Sequence, residues 1–357
     1  MIKNTKDEFW LRQNSSFVFL FTISYHIRML NKILKTIKKI IPKKIFSFGQ
    51  PVYHYLLALT GVIIYRFPSR KIKVVAVTGT KGKTSTVEFV NAILEQAGKK
   101  TALMGTLRFK VGDNSKPNLY KMTMPGRFFT QKFLRLAVDA NCEYVVMEIS
   151  SEAAKQYRNK FIDLNALIFT NLAPEHIESH GSYEKYVEAK LSIAKELEKS
   201  SKTKRVMISN IDDKEGKKFL TINIENKIGY SIEEVDEILL SEDSIEFTYK
   251  GEKFYSNLSG RFNIYNMLGA IKYAETEKID LRIIKEAIKN LKKIGGRAEK
   301  VEAGQNFKVI VDYAHTPDSL IAIYETFPNS KKIGVLGSCG GGRDKWKRKA
   351  MAEIADE

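Results

Sequence analysis

The chain has 357 residues, 43% hydrophobic and 28% charged, enough apolar side chain for two or three globular domains. Its two cysteines, Cys142 and Cys339, lie in apolar or glycine-rich contexts without metal-ligand spacing, which excludes a disulfide framework and points to a reducing compartment. The net charge of +18 is uneven: residues 1–73 hold 14 Lys/Arg against 2 Asp/Glu, leaving only +6 for the rest.

Residues 1–73 read as a short, basic, helical N-terminal segment. The start M-I-K-N-T-K-D-E is followed by no small-residue cleavage site, so no cleavable leader is expected. Met29–Ile41 places apolar residues at 29, 30, 33, 34, 37, 40 and 41, with Lys32, Lys35, Lys38 and Lys39 between them. That is a basic amphipathic helix, stopped by Pro42. Phe17–Ile23 and Val52–Phe67 are apolar runs, and the longer one falls short of the ~20 residues a bilayer span requires. Residues 28–73 could lie on an anionic membrane surface, pack on the following domain, or bind nucleic acid. The aromatic-interleaved basic motifs of RNA-binding modules are missing, which argues against the last.

Lys73–Thr86 reads K-V-V-A-V-T-G-T-K-G-K-T-S-T. Val74–Thr78 has the continuous apolar and β-branched character of a buried parallel strand. A glycine turn follows, then a helical pattern through Val87, Val90, Ile93 and Leu94 that ends near Gly98. Strand, turn and helix form a phosphate cradle. Backbone N–H groups of the turn Gly79, Thr80, Lys81 and Gly82 face the anion, Lys83 reaches the outer phosphates, the Thr84 hydroxyl holds Mg²⁺, and Ser85 belongs to the ATP site. The first glycine sits at 79 rather than 77, so this is the short form G-x-x-G-K-T.

Residues 74–296 alternate strand and helix. Cys142–Ile149, Leu164–Thr170 and Arg205–Ser209 read as strands. Ser182–Lys199, with a serine N-cap, reads as a helix, as do Asn263–Ala274 and Leu281–Leu291. Ile238–Ser256 alternates as a hairpin around Lys250-Gly251. The class is α/β with a mainly parallel sheet. After Gly295-Gly296 a second α/β unit opens over residues 297–357. It has strands at Phe307–Val311 and Lys332–Leu336, a helix started by Thr316-Pro317 and a helical pattern from near Asp344, and it is expected to be an incomplete Rossmann-like domain. Glu148 ends its strand on the edge where parallel sheets bind ligands, a position that suits a hard divalent cation.

The short glycine motif resembles that of the Mur ligase superfamily, the ATP-dependent amide-forming ligases of peptidoglycan synthesis, with folylpolyglutamate and cyanophycin synthetases as cousins. The likeness runs from residue 74 to 357. It implies that Asn171-Leu172-Ala173-Pro174-Glu175-His176 corresponds to the family's N-L-x-x-[DE]-H segment, with Asn171 at ATP and His176 holding a second magnesium. It implies that Lys190, in Y-V-E-A-K, is carbamylated and becomes a metal ligand beside Thr84, Glu148 and His176. Lys83, Glu148, His176 and Lys190 are thereby the catalytic set. Val309–Leu320, V-I-V-D-Y-A-H-T-P-D-S-L, resembles the branch that adds the third residue of the stem peptide, diaminopimelate or lysine (the MurE type).

In that branch Asp312 meets the ATP ribose or the metal shell, Arg297 approaches the γ-phosphate, and Asn263 lies beside adenine. Arg343, in the glycine-rich turn Leu336–Lys347, clamps the carboxylate of the incoming amino acid. Thr123, Ser150, Gln156 and Arg158 fall where the family touches its UDP-muramoyl-peptide. The likeness also implies a cytoplasmic monomer, at most peripheral at the inner membrane face, using ATP and two Mg²⁺ ions. Glu152 and Met124 depart from the family's usual histidine and threonine. The family's uridine-binding domain has no counterpart in residues 1–73, and its D-N-P-R segment would fall beyond Glu357. A related ligase acting on another carboxylate, or an ATP-binding protein without turnover, fits the same motifs.

Overall fold

The computed structural model describes residues 43–120, 122–175, 177–337 and 347–356. Contacts divide the chain between His54 and Tyr55, and from Tyr55 onward the described residues belong to one compact unit. In chain order the elements are α1 (Lys43–Ile64), β1 (Lys73–Thr78), α2 (Lys83–Gln96), β2 (Thr101–Met104), β3 (Arg108–Val111), β4 (Asn114–Pro117) and α3 (Arg127–Asp139). There follow β5 (Tyr144–Glu148), α4 (Ser151–Lys155), β6 (Ala166–Phe169), α5 (Ile177–His180), α6 (Tyr183–Glu198), β7 (Val206–Asn210), α7 (Gly216–Phe219) and β8 (Asn226–Tyr230). The remainder comprises β9 (Val235–Leu240), β10 (Ile245–Tyr249), β11 (Glu252–Ser256), α8 (Phe262–Thr276), α9 (Leu281–Asn290), β12 (Glu299–Val301), β13 (Val309–Val311), α10 (Pro317–Glu325) and α11 (Lys347–Asp356).

Eight strands form the main sheet in the order β4-β3-β2-β5-β1-β6-β7-β8. From β2 to β8 every pairing is parallel, and β3 and β4 add an antiparallel edge. Strands buried on both faces must be apolar at every position, and β1, β2, β5 and β6 are buried almost throughout. Register then sets the site. Val77 of β1 lies opposite Glu148 of β5, and Thr78 lies opposite Phe169 of β6, so three strands end level at one edge. On one face, α2 and α8 close the core through Phe89, Val90, Ile93, Leu94, Met267, Leu268 and Ile271.

From Tyr55 onward, α1 buries Ala58 and Val62 and exposes Leu56 and Ile63. Gly61 sits close to α3, where a Cβ would lie 3.6 Å from Gln131 Cγ. Arg135 of α3 donates from Nε and Nη2 to the Tyr65 carbonyl, at 3.0 and 2.7 Å, satisfying the chain as it leaves the helix. The helix begins earlier than the apolar run at Val52, with Pro51 in its interior. The expected helix Met29–Ile41, the run Phe17–Ile23 and the stop at Pro42 lie outside the described residues. Among the described residues no helix is long and apolar enough to cross a membrane.

The hairpin around Lys250-Gly251 is β10–β11, with both turn residues at positive φ (50° and 77°), and β9 adds a third strand. The expected helices at 182–199, 263–274 and 281–291 are α6, α8 and α9. Ser182 Oγ accepts the Lys185 N–H as the cap of α6. Beyond residue 296 the described chain holds a two-stranded antiparallel ladder, β12–β13, and two helices around Leu320, Ile323, Phe327 and Met351. The strand expected at Lys332–Leu336 does not form: Ile333 and Val335 are 93% and 97% exposed. An apolar run becomes a strand only when a neighbouring ladder takes up its N–H and C=O groups, and among the described residues none lies beside it.

Candidate nucleotide and active-site cleft

The turn between β1 and α2 is bolted to the end of β6. Thr80 N–H donates to the Asn171 carbonyl at 2.8 Å, and Lys81 N–H donates to Asn171 Oδ1 at 2.9 Å. Asn171 Nδ2 and Thr170 Oγ1 both donate back to the Lys81 carbonyl, at 3.2 and 2.6 Å. Gly79 is held so tightly that a Cβ would overlap Thr170 Oγ1 and lie 3.0 Å from the Asn171 carbonyl oxygen. Gly82, at φ 77°, is the N-cap of α2, and no side chain accepts from the first turn. The first N–H groups of a helix lack intrahelical acceptors, so those of Lys83, Thr84 and Ser85 face the cleft as an anion seat.

Lys83 Nζ folds back onto the Gly79 and Thr80 carbonyls, at 2.9 and 2.7 Å, and burial lowers its pKa against the opposing pull of Glu148 and Glu175. A lysine so placed swings to a phosphate by exchanging two neutral acceptors for a charged one. The cradle therefore fits a nucleotide triphosphate.

Glu148 is fully buried at the tip of β5. Its Oε1 accepts the Thr106 N–H at 2.7 Å and its Oε2 accepts the Thr106 hydroxyl at 2.9 Å. Thr106 and Thr123 share a hydrogen bond of 2.9 Å between their hydroxyls. These bonds fix the carboxylate while its remaining lone pairs face the cleft, and together with the Thr84 hydroxyl they offer the oxygen donors that Mg²⁺ prefers. Among the described residues no group of three His, Cys, Asp or Glu side chains is placed to hold a metal. His176 and Arg343 lie outside the described residues.

Lys190, on α6, is 1% exposed and donates to the Gly79 carbonyl, with its Nζ 5.3 Å from the Tyr186 ring centroid. Burial first, and Lys83 second, push its pKa well below the usual lysine value. A lowered pKa favours the uncharged amine over the ammonium.

From the C-terminal side, Arg297 Nη2 donates to Thr84 Oγ1 at 3.2 Å, and the guanidinium lies 4.9 Å from the Tyr313 ring centroid. Asp312 Oδ2 accepts the Ala298 N–H at 2.7 Å, and burial raises its carboxyl. Lys81 pairs with Asp318, and His315 Nε2 meets Glu175 Oε1 at 2.7 Å.

These groups surround a cleft of about 590 Å³. Of the expected site residues, Thr80–Ser85, Thr123, Glu148, Ser150, Asn171, Arg297 and Asp312 line it. Gly79, Lys190 and Asn263 stand behind that wall, Asn263 accepting from Asn266 Nδ2 at 2.9 Å. Ser150 caps α4 by accepting the Ala153 N–H. Gln156 and Arg158 bond to each other at 2.7 Å, and Arg158 Nη1 reaches the Met124 carbonyl, outside the cleft. Glu152 accepts from Ser179 and from Gln156 Nε2.

Thr106, Asn266, Asp213 and Asp318 also line the cleft and were not singled out from sequence. Asn266 could have been found, since it lies three residues from Asn263 on one helix face. Thr106 carries no motif, and only the fold brings it to Glu148.

The family model described as Mur ligase middle domain matches residues 77–274, and that described as Mur ligase, glutamate ligase domain matches residues 296–357. A UDP-N-acetylmuramoyl-L-alanyl-D-glutamate–2,6-diaminopimelate ligase of Syntrophomonas wolfei is 38% identical over 84% of this chain and 63% of its own length. The enzyme of the same name from Geobacillus kaustophilus is 32% identical over 94% of this chain and 72% of its own. A solved structure of a ligase with that name superposes with a TM-score of 0.60 at 25% identity, covering 80% of this chain and 60% of that one. MurF from Acinetobacter baumannii shares the fold, with a TM-score of 0.60 at 18% identity over 78% of this chain and 58% of its own. The chain thus spans 63% of the length of the Syntrophomonas relative.

Proposed function

The chain belongs to the Mur ligase family, and from that premise we propose that it is an ATP-dependent amide ligase adding diaminopimelate to UDP-muramoyl-dipeptide. The observation that carries this reading is the convergence on one cleft of Lys83, Thr84 and Glu148 from the central sheet with Arg297 and Asp312 from the C-terminal unit. ATP with Mg²⁺ supplies a phosphoryl group that turns the substrate carboxylate into an acyl-phosphate, which an amine attacks with loss of phosphate and a proton.

The chain's own residues position and neutralise. The α2 amides and Lys83 hold the phosphates, and Arg297 offers its guanidinium to the transferring group from the opposite wall. Thr84 and Glu148 hold one metal ion. Carbamylated Lys190 and His176 serve a second, and burial of the Lys190 amine is what favours the modification. Thr123 and Ser150, on the floor beside Glu148, face the muramoyl-peptide, with Gln156 and Arg158 behind them. The proposed working unit is a monomer.

ADP release is measured with UDP-muramoyl-dipeptide, Mg²⁺ and either diaminopimelate or lysine. Turnover that requires diaminopimelate supports the proposal. Turnover with lysine alone refutes the choice of amino acid, and ATP binding without turnover on either refutes the activity. Mass spectrometry of the native protein in bicarbonate buffer tests the carbamate on Lys190.

A further inference from the structure

The parallel strands have a second ligand-sized hollow at their opposite edge. It lies where β1 and β5 begin, beside Lys73 and Tyr144, one strand length or about 17 Å from the nucleotide cradle. Its volume is about 410 Å³, and five cations line it: Arg70, Lys71, Lys73, Lys99 and Lys202, with Glu143 as the one carboxylate on its wall.

The carboxylates facing these cations are few. Arg70 pairs with Asp163 at 3.2 Å, Lys73 with Glu277 at 2.6 Å, and Lys99 with Glu143 at 3.1 Å. Among the described residues Lys202 Nζ donates to the Arg70 and Ile72 carbonyls, at 2.9 and 3.1 Å, and shares with Arg70 the one nearby carboxylate, Asp163. Lys71 is exposed and has no ion-pair partner among the described residues. Five positive charges thus meet three negative ones around an open hollow that the nucleotide chemistry does not use.

The stretch that enters this hollow comes directly from α1. Leu56 and Ile63, two turns apart on one helix face, are 53% and 55% exposed, and Tyr55 is 40% exposed beside them. Exposed Arg66 follows before Arg70 and Lys71. An exposed aliphatic stripe that runs within a few residues into a net positive hollow matches a surface that is apolar below and anionic above.

We propose that this edge of the domain docks on an anionic phospholipid surface, with phosphate headgroups in the hollow at Lys71, Lys99 and Lys202, and Leu56 and Ile63 toward the acyl boundary. Residues 1–69, which hold 11 Lys/Arg against 2 Asp/Glu, carry further positive charge of the same sign.

Flotation of the full chain is compared on vesicles of phosphatidylcholine alone and with added phosphatidylglycerol. The expected result is flotation only with the anionic lipid, weakened by salt. Replacing Lys71→Glu with Lys99→Glu should lower the partition coefficient by roughly fivefold or more per site. The pair Lys71→Arg with Lys99→Arg should retain it, and Leu56→Ser with Ile63→Ser should lower it independently. Unchanged thermal unfolding of the charge-reversed pair establishes that its fold is intact. Equal flotation of wild type and the charge-reversed pair would overturn the proposal, assigning any membrane contact to residues outside the hollow. Saturable binding of inorganic pyrophosphate, lost in that pair and unaccompanied by flotation of wild type, would also overturn it in favour of a soluble anion. None of these readouts requires ligase activity, so the test stands apart from the proposed reaction.

Discussion

Two glycines with nearly the same φ isolate what the cradle demands. Gly82 has φ 77° and Gly98, just past the end of α2, has φ 75°. Alanine at either position carries the left-handed penalty of roughly 1–2 kcal/mol. At Gly98 nothing lies within 4 Å of the place an alanine methyl would take, so Gly98→Ala should cost that alone. At Gly82 the methyl would overlap Asn266 Oδ1 and lie 3.1 Å from its Cγ. Asn266 is buried, donates to Asn263 Oδ1 at 2.9 Å and accepts from Thr86 Oγ1 at 3.4 Å, so moving it breaks both bonds. Each buried group left unsatisfied costs about 1–3 kcal/mol, which brings Gly82→Ala to roughly 3–8 kcal/mol.

At about 2–4 °C per kcal/mol, melting should fall by roughly 2–8 °C for Gly98→Ala and by roughly 6 °C or more for Gly82→Ala. If the strain is relieved by displacing the turn, ATP affinity measured by calorimetry should drop about 30-fold for Gly82→Ala, equivalent to about 2 kcal/mol, and stay unchanged for Gly98→Ala. Equal melting losses would show that Asn266 yields freely. Unchanged ATP affinity in both variants would refute the assignment of this turn to the nucleotide.

Glu148→Gln keeps the volume and one acceptor for the Thr106 N–H, reverses the second bond so that the amide donates to the Thr106 hydroxyl, and removes the charge. ADP release should fall by roughly a hundredfold or more while the melting temperature stays close to wild type, and retained turnover would remove Glu148 from the metal site. Arg297→Ala should lower kcat by about ten- to a hundredfold with little change in ATP affinity, because the groups it meets in the free cleft, the Thr84 hydroxyl, the Gly296 carbonyl and the Tyr313 ring, are all neutral. A loss confined to KM would contradict that.

Burial alone would raise the Glu277 carboxyl, but hydrogen bonds from Lys73, Tyr144 and Tyr273 outweigh it and hold the pKa below the usual value. The unfolded chain therefore takes up this proton first as pH falls. The stabilisation is complete above the ordinary carboxylate pKa of about 4.3 and is lost as pH drops through the folded value. Glu277→Gln should flatten the acid limb of a melting-temperature profile, and an unaltered limb would refute the linkage.

Much of the cleft is legible in the sequence. The strand–turn–helix at Lys73–Gln96 announces itself because period and turn chemistry are local, and Glu148 is found by its place at the end of an apolar run. Asn171 and Arg297 needed a resemblance, since neither residue carries a signal of its own. What escaped is long-range. Thr106 grips Glu148 from 42 positions away, and Glu175 meets His315 across 140. No window of sequence holds such pairs together. Lys332–Leu336 misled for the complementary reason: its apolar pattern is right for a strand, but pairing is a property of the neighbour.

The C-terminal unit has a small interior of its own, with Leu320, Ile323, Phe327 and Met351 at its centre among the described residues. Its grip on the larger domain includes Lys81–Asp318, Arg297–Thr84 and His315–Glu175 at the rim of the nucleotide cleft, beside a second set in which Lys308 and Ser330 reach Glu242 on the β9–β10 turn. Whatever fills that cleft therefore also acts as mortar between a strong wall and a weak one. In a heating scan the empty protein should lose its small unit first and show two heat-absorption peaks, while the nucleotide-loaded protein should melt as one block. Ligand binding in this chain would then be visible as cooperativity, in the shape of the melting curve as much as in its position.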